Sequence, residues 1–154
     1  MKSDKIRLAI LGLWLGAMAF FSFVVAPAAF AVLPLPQLAG ALVSQTLGAL
    51  EIIGIALGVL LIVILAFSKE RGGRAFLSEL ITLALMTIAM LVSHFAVSRR
   101  LHAMRMQFGE IPLLAAGDPA RITFDRLHQY SVWLMTFDIL AAIALIVFLA
   151  RRNA

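Results

Sequence analysis

Three polar residues near the C-terminus have types and a spacing that could support ligand binding. His128, Ser131 and Asp138, together with Met135, follow one another at intervals of three, four and three residues. That spacing places all four side chains on one face of a helix. The surrounding segment is strongly apolar, and polar groups that face lipid are costly, so this face should turn inward. We predict that His128, Ser131 and Asp138 line one interior cavity that opens to the outer side of a membrane.

Two acidic residues lie near the middle of long apolar runs. Glu51 belongs to the second run and Asp138 to the fourth, and no Lys or Arg is found at a matching depth. Each carboxyl group must therefore stay protonated, hydrogen-bond to its neighbours, or hold a cation or water. One hypothesis is a proton or cation site, and the other is a structural hydrogen bond between helices. The sequence leaves both open.

Two further histidines could face His128 across the bundle. If the third and fourth runs are antiparallel, His94 and His102 fall in the outer half or at the outer rim. Met90 shares a helix face with His94, four residues away. Imidazole and thioether groups suit soft metals such as Cu(I). Methionine also fills cores, however, and no MxxM or HxxxH array occurs. We therefore assign no metal ligands, the sequence leaves open whether a metal is bound, and it names no cofactor.

Arginines accumulate between the third and fourth apolar runs, in the segment 98–126. Basic residues on the predicted outer side go against the usual bias of membrane proteins toward cytoplasmic Lys and Arg. They could bind an anion or close a pocket, or they could extend to lipid phosphates and pair with nearby acids. We predict that Arg99, Arg100 and Arg126 lie at the pocket entrance and favour an anionic or neutral solute.

The elements that position these residues are four apolar runs, each long enough to cross a bilayer, which needs about 20 residues of helix. They span residues 8–33, 38–67, 75–97 and 127–150. The chain of 154 residues is 63% hydrophobic and 14% charged, too apolar for a soluble fold of this size. We predict an all-α integral membrane bundle of four transmembrane helices, a single domain over residues 1–154 with an outer loop at 98–126.

The distribution of basic residues predicts which side of the membrane holds the termini. Both ends of the chain and the connector 68–74 are basic, whereas the connector 34–37 carries no Lys or Arg. This pattern places both termini in the cytoplasm of a multi-pass protein in the inner or plasma membrane. We expect the first run to remain as a membrane helix, because it is longer than the apolar region of a cleaved secretory signal.

Two GxxxG patterns predict close contacts between helices, Gly12 with Gly16 and Gly54 with Gly58. Small residues let helix backbones approach each other in lipid. We expect Gly16 and Gly54 to lie at such contacts, either within the bundle or in a homo-oligomer formed through one of these faces. The other predicted partner is the lipid bilayer. The net charge of +5 does not indicate nucleic-acid binding, because the basic residues lie at the ends of apolar runs.

Short motifs along nearly the whole chain resemble the transmembrane-protein-205-like family, small four-span membrane proteins of largely unknown function. The motifs are Trp14-Leu-Gly16, Val25-Ala-Pro27 with Phe30, Ala39-Gly40, the stretch from Arg99 to Arg105 with His102, and Phe124-Asp-Arg-Leu-His128-Gln-Tyr-Ser131. The resemblance implies a four-helix membrane fold and favours export or metal handling. Met135 stands where the family often has Asn, so a polar role at that position is not implied. A copper-resistance membrane family with a similar first span is the alternative resemblance.

Two functional hypotheses from different classes follow. The first is a transport-related protein that handles a solute or a metal through an outward-facing polar pocket. The second is a structural or assembly subunit of a membrane complex without chemistry of its own. We expect no enzyme, because His128 and Asp138 are separated by roughly 15 Å of helix rise, too far for direct contact. A polar cavity reaching Asp138 would favour the first hypothesis, and a fully packed bundle would favour the second.

Overall fold

The computed structural model describes residues 2–68, 72–109 and 111–153, which are almost entirely helical and contain no strand. Two π-helical turns, Phe21–Val25 and Ser93–Ser98, join α1 to α2 and α4 to α5, and a 3-10 helix covers Ile111–Leu113. The α-helices are α1 (Lys2–Phe20), α2 (Ala26–Val32), α3 (Pro36–Ala66), α4 (Arg74–Val92), α5 (Arg99–Phe108) and α6 (Pro119–Asn153).

Four continuous helical segments among the described residues are long and apolar enough to cross a membrane. We call them the first span (Ser3–Val32), the second span (Pro36–Ala66), the third span (Arg74–Phe108) and the fourth span (Pro119–Arg152). Each has at least 30 residues, whereas the hydrocarbon core of a bilayer requires only about 20. The predicted all-α bundle of four transmembrane helices is confirmed.

Proline and glycine set the ends of these helices. Pro36 lies in the first turn of the second span, directly after an extended Leu35, where its missing N–H costs nothing. Gly109 ends the third span with a φ of 62°, a conformation that suits glycine. Asp118 precedes the fourth span, and its Oδ1 accepts a hydrogen bond from the Ala120 N–H at 2.7 Å, which caps that helix.

The predicted outer loop at 98–126 is largely helical, which corrects the boundary drawn from the sequence. The third span continues to Phe108 and the fourth begins at Pro119, so only residues 109–118 connect them. Leu101 and Met104 are 5% and 6% exposed, so this amphipathic stretch packs on the bundle and stays helical beyond the apolar run. Length of an apolar run cannot reveal such an extension, because packing rather than hydrophobicity maintains it.

Both chain ends lie at one end of the bundle, which we call the terminus end; the opposite end is the loop end. Arg152 Nη2 lies 3.2 Å from Asp4 Oδ1, which joins the end of the fourth span to the start of the first. The cytoplasmic location of the terminus end stays a prediction. Lys69 and Arg71, on which that prediction partly rests, lie outside the described residues.

The apolar core lies in the half of the bundle nearer the terminus end, and all four spans contribute to it. Its most deeply buried side chains are Leu11, Met18, Leu61, Leu65, Leu83, Ala142 and Leu149. Because lipid is as apolar as these side chains, close packing rather than hydrophobic burial holds such helices together. The cavities described below lie mainly in the other half.

The second GxxxG pattern lies inside the bundle. A Cβ atom on Gly54 would be 2.5 Å from Cζ2 of Trp14 and 3.3 Å from Sδ of Met90, and one on Gly58 would collide with Oγ1 of Thr87. The first and third spans therefore fill the space above this face. The predicted close contact at Gly54 is confirmed, and the face is occupied within the chain rather than open to a second copy.

The first GxxxG pattern faces away from the bundle, so the close contact expected at Gly16 is not made within the chain. A Cβ atom on Gly12 or Gly16 would have nothing within 4 Å. The opposite side of the same helix carries the buried Leu11, Trp14 and Met18, because positions two residues apart point in different directions on a helix. The predicted homo-oligomer remains a prediction, with the Gly12/Gly16 face open to it.

This difference predicts unequal effects of two matched substitutions. Gly54→Ile should lower the free energy of unfolding by about 1–3 kcal/mol, because an overpacked core must shift to admit the new side chain. Gly16→Ile should leave the stability of the monomer unchanged, since that position has open space. Thermal unfolding of both variants in the same detergent measures the difference. Equal losses, or no loss at Gly54, would contradict the packing described here.

Candidate functional site

A cavity of about 460 Å³, which we call the main pocket, lies between all four spans. A neighbouring cavity of about 360 Å³, the entrance cavity, extends toward the loop end and shares Phe30, Arg105 and His128 with the main pocket. Most of the main pocket is lined by apolar side chains. Its polar lining includes Ser44, Ser98, Arg105, His128, Ser131 and Thr136. Volumes of this order are typical of small-molecule sites.

The fourth span contributes two of its four predicted binding residues, His128 and Ser131, to the main pocket. His128, Ser131 and Met135 all line it, as their shared helix face requires. Ser131 is buried, whereas His128 is exposed and also lines the entrance cavity. That both residues bind a ligand remains a prediction, but the structure places them together in one cavity.

Asp138 does not line the main pocket, which corrects the prediction of a single continuous cavity. It is 1% exposed and borders a separate space of about 20 Å³, together with Trp14, Gly54, Thr87 and Met90. The fourth span carries Asp138 below the floor of the main pocket, into the region that Trp14 of the first span fills. A space of this size fits about one water molecule.

The carboxyl group of Asp138 is unusual in its lack of partners. Both of its oxygens are buried and have no hydrogen-bond partner within the described chain. An unpaired charge in such surroundings is costly, so this group needs a proton, a water molecule or a cation, the alternatives that the sequence left open. Its separation from the main pocket means that it cannot contact the same ligand as Ser131 directly.

Glu51, by contrast, is the centre of a hydrogen-bonded cluster between the second and third spans. Its Oε1 accepts hydrogen bonds from Ser93 Oγ at 2.5 Å and from Ser98 Oγ at 2.8 Å. Its Oε2 lies 3.1 Å from Nδ1 of His94. Glu51 is 1% exposed, so these contacts offset the cost of its burial. Ser98 also lines the main pocket, and it thus connects the cluster to the pocket wall.

The π-helical turn Ser93–Ser98 explains why these side chains converge on one carboxyl group. In a regular α-helix, two residues five apart point about 140° away from each other. The wider π-helical turn brings positions i and i+5 onto one face, and so aligns Ser93 with Ser98. His94 consequently faces Glu51 rather than His128, which corrects its predicted position in the pocket.

Arg105, which the sequence patterns did not single out, lines both cavities. Its Cζ lies 5.1 Å from the centre of the Phe124 ring, and a Cβ atom on Gly40 would lie 3.7 Å from the guanidinium group. The Nη1 atom is buried and has no hydrogen-bond partner within the described chain. A signal was present in the sequence: Arg105 follows the apolar Leu101 by four residues and therefore shares its helix face.

The three arginines predicted at the entrance do not line either cavity. Arg99, Arg100 and Arg126 are exposed, and Cζ of Arg99 lies 5.9 Å from the centre of the Phe95 ring. They follow the outward faces of their helices, where lipid head groups or water can reach them. His102 is likewise exposed and lies outside both cavities. The prediction that these four residues lie at the pocket or its entrance is therefore wrong.

A group of buried charged side chains lies at the terminus end of the bundle. Arg7 is 0% exposed and forms ion pairs with Asp4 and with Glu79, whose Oε1 lies 2.5 Å from Arg7 Nη1. Arg152 adds a second guanidinium group near Asp4, at 3.2 Å. The sequence analysis used the basic residues of the N-terminus only to predict the orientation of the chain. The spacing of Asp4 and Arg7 at positions i and i+3 already allowed an ion pair.

The described residues contain no group of three or more His, Cys, Asp or Glu side chains close enough to hold a metal ion. The acids and histidines instead occur in the separate places described above. His94 is next to Glu51, His128 lines the main pocket, and Asp138 borders its own small cavity.

Comparisons with known proteins place this chain in a family without an assigned activity. An uncharacterized protein of Aquifex aeolicus (strain VF5) is 36% identical over 102 residues, which cover 66% of this chain and 71% of that protein. No solved structure matches the chain significantly. The resemblance to the transmembrane-protein-205-like family remains a prediction. A family model matches residues 9–110, and the chain therefore belongs to the family described as Domain of unknown function (DUF4149).

Proposed function

We propose that this protein binds a small solute in the main pocket, in a role related to transport across or within the membrane. The observation that carries the proposal is a cavity of about 460 Å³ in which Arg105, His128 and Ser131 contribute polar groups to an otherwise mostly apolar wall. Small-molecule sites commonly combine a concave apolar surface with a few polar groups that orient the ligand.

Binding is favoured over catalysis because the groups that could transfer protons are separated. His128 lines the main pocket, whereas Asp138 borders the small cavity next to Trp14. A general acid and a general base must both come within hydrogen-bond reach of the same substrate. We therefore propose that the protein is not an enzyme.

Filling the main pocket should abolish solute binding. Ser131→Phe places a large side chain at a buried position in the pocket wall, and Leu140→Phe, at a 60% exposed position on the same helix, is the matched control. Native mass spectrometry of protein released gently from membranes should show a non-covalently bound small molecule on the wild type and the control. The same mass should be missing from Ser131→Phe. Equal occupancy in all three proteins, or none in the wild type, would contradict the proposal.

A structural or assembly subunit is the second candidate, favoured by the open stripe on the first span. Ala9, Gly12 and Gly16 are all exposed, and stripes of small residues let transmembrane helices approach closely. Another copy of the chain or a different membrane protein would then cover this stripe. Equal occupancy in the Ser131→Phe experiment would place this candidate ahead of solute binding.

A further inference from the structure

We propose that the ligand of the main pocket is an anionic amphiphile, with its acidic head group on Arg105 and its apolar chain along the pocket wall. This inference rests on the proposed solute-binding function and adds the chemical class of the solute. It follows from three features of the pocket. They are an arginine that has no acidic partner among the described residues, polar groups beside that arginine, and an apolar wall that reaches the lipid-facing surface.

The first feature is the unmet hydrogen-bonding capacity of Arg105. Its guanidinium group lies against Phe124 and Gly40, neither of which offers a side-chain acceptor. Nη1 is buried without a partner within the described chain. A guanidinium group has five N–H donors in a planar fork that matches two oxygens of a carboxylate or phosphate. An anion in the pocket would satisfy these donors and neutralise the charge.

The second feature is the set of polar side chains around the same region. His128 lines both cavities together with Arg105, and Ser98 and Ser131 line the main pocket. The Ser131 hydroxyl and the His128 imidazole N–H can donate further hydrogen bonds to an acidic head group, whereas the Ser98 hydroxyl already donates to Glu51. No acidic side chain lines either cavity among the described residues, so the pocket's polar lining favours a negative ligand over a cation.

The third feature is the apolar remainder of the main pocket, which includes Phe21, Val43, Leu47, Leu101 and Ile139. A small hydrated anion would lose water here without gaining apolar contacts, whereas a hydrocarbon chain gains from burial against these side chains. The combination of one cation and a long apolar wall is therefore better matched by an amphiphile than by inorganic phosphate.

The pocket wall also continues onto the outer surface of the bundle. Phe23 and Val132 line the main pocket and are 75% and 44% exposed. Phe30, which borders both cavities, is 56% exposed. Because this surface faces lipid in a membrane protein, an amphiphile can enter sideways from the bilayer. A fatty acid and a phospholipid share the required chemistry, an acidic oxygen group on an apolar chain.

The test uses native mass spectrometry of the protein in detergent with added ligands. Three probes share one hydrocarbon chain length, namely oleate, oleoyl lysophosphatidate and oleyl alcohol, and inorganic phosphate is the probe without a chain. We expect oleate, lysophosphatidate or both to bind the wild type at least tenfold more tightly than the alcohol or phosphate. Arg105→Gln should weaken binding of the acid at least tenfold, and the exposed control Arg100→Gln should not. The tighter of the two acids identifies the source of the head group.

The possible outcomes distinguish a wrong ligand class from a failure of the proposed solute-binding function. If Arg105→Gln binds the acids as well as the wild type, or if oleyl alcohol binds as tightly as the tighter of the two acids, the anionic class is wrong while the pocket stands. If no probe binds and Ser131→Phe changes nothing, the proposed function fails as well. Arg105→Lys, which keeps the charge but loses the planar fork, should bind the acids with intermediate affinity. Arg105→Lys replaces Arg105→Gln in the test if the glutamine variant does not fold.

Discussion

Replacing Arg7 by methionine is expected to lower the free energy of unfolding by about 3–5 kcal/mol, because removal of one partner leaves buried charges uncompensated. Arg7 is 0% exposed, and its two acidic partners Asp4 and Glu79 are 3% and 1% exposed. These contacts link the first span to the third at the terminus end. Arg152 lies near both acids, at 3.2 Å and 4.0 Å, and can compensate only part of the loss.

Unfolding in mixed micelles of mild detergent and dodecyl sulfate, followed by tryptophan fluorescence, measures this effect. Arg151→Met is the matched control, since Arg151 is exposed at the same end of the bundle and should change stability little. The double variant Arg7→Met/Glu79→Met should recover part of the loss, because an apolar pair replaces the ion pair. A loss below about 1 kcal/mol for Arg7→Met would mean that these charges do not hold the helices together.

Glu51→Leu is expected to lower the free energy of unfolding by about 3 kcal/mol or more, because each buried donor that loses its acceptor costs about 1–3 kcal/mol. Three side chains of the third span depend on this carboxyl group, namely Ser93, His94 and Ser98. Leucine has a similar size but accepts no hydrogen bond. The π-helical turn Ser93–Ser98 aligns these donors with the carboxyl group. In Glu51→Leu these hydrogen bonds no longer stabilise its wider geometry.

Glu51→Gln separates hydrogen bonding from simple packing in this cluster. Glutamine keeps one acceptor oxygen, so Glu51→Gln should lower the free energy of unfolding clearly less than Glu51→Leu does. Gln45→Leu, at an exposed position of the same span, controls for added apolar surface. The same unfolding measurement applies to all three variants. Equal stability of Glu51→Leu and the wild type would show that the three donors have other partners.

The number and approximate position of the spans could be predicted from the sequence because they depend on local composition. About 20 consecutive apolar residues suffice to define a spanning helix. Residues such as Pro36, which begins a helix, and Gly109, which ends one, mark helix boundaries through their own backbone geometry. The inward direction of Glu51, Ser131 and Asp138 was also predictable. A polar group in hydrocarbon is costly wherever its neighbours are, and all three are buried.

The tertiary structure decided which of these groups meet. Whether Glu51 reaches His94, or Asp138 ends beside Trp14, depends on how each helix is rotated and shifted along its neighbours, and no single helix contains that information. The same reason applies to the arginines: Arg105 turns toward the pocket and Arg100 away from it, although both lie in one short basic stretch. Helix rotation, set by packing among all four spans and by a π-helical turn that periodicity could not reveal, determined the candidate site.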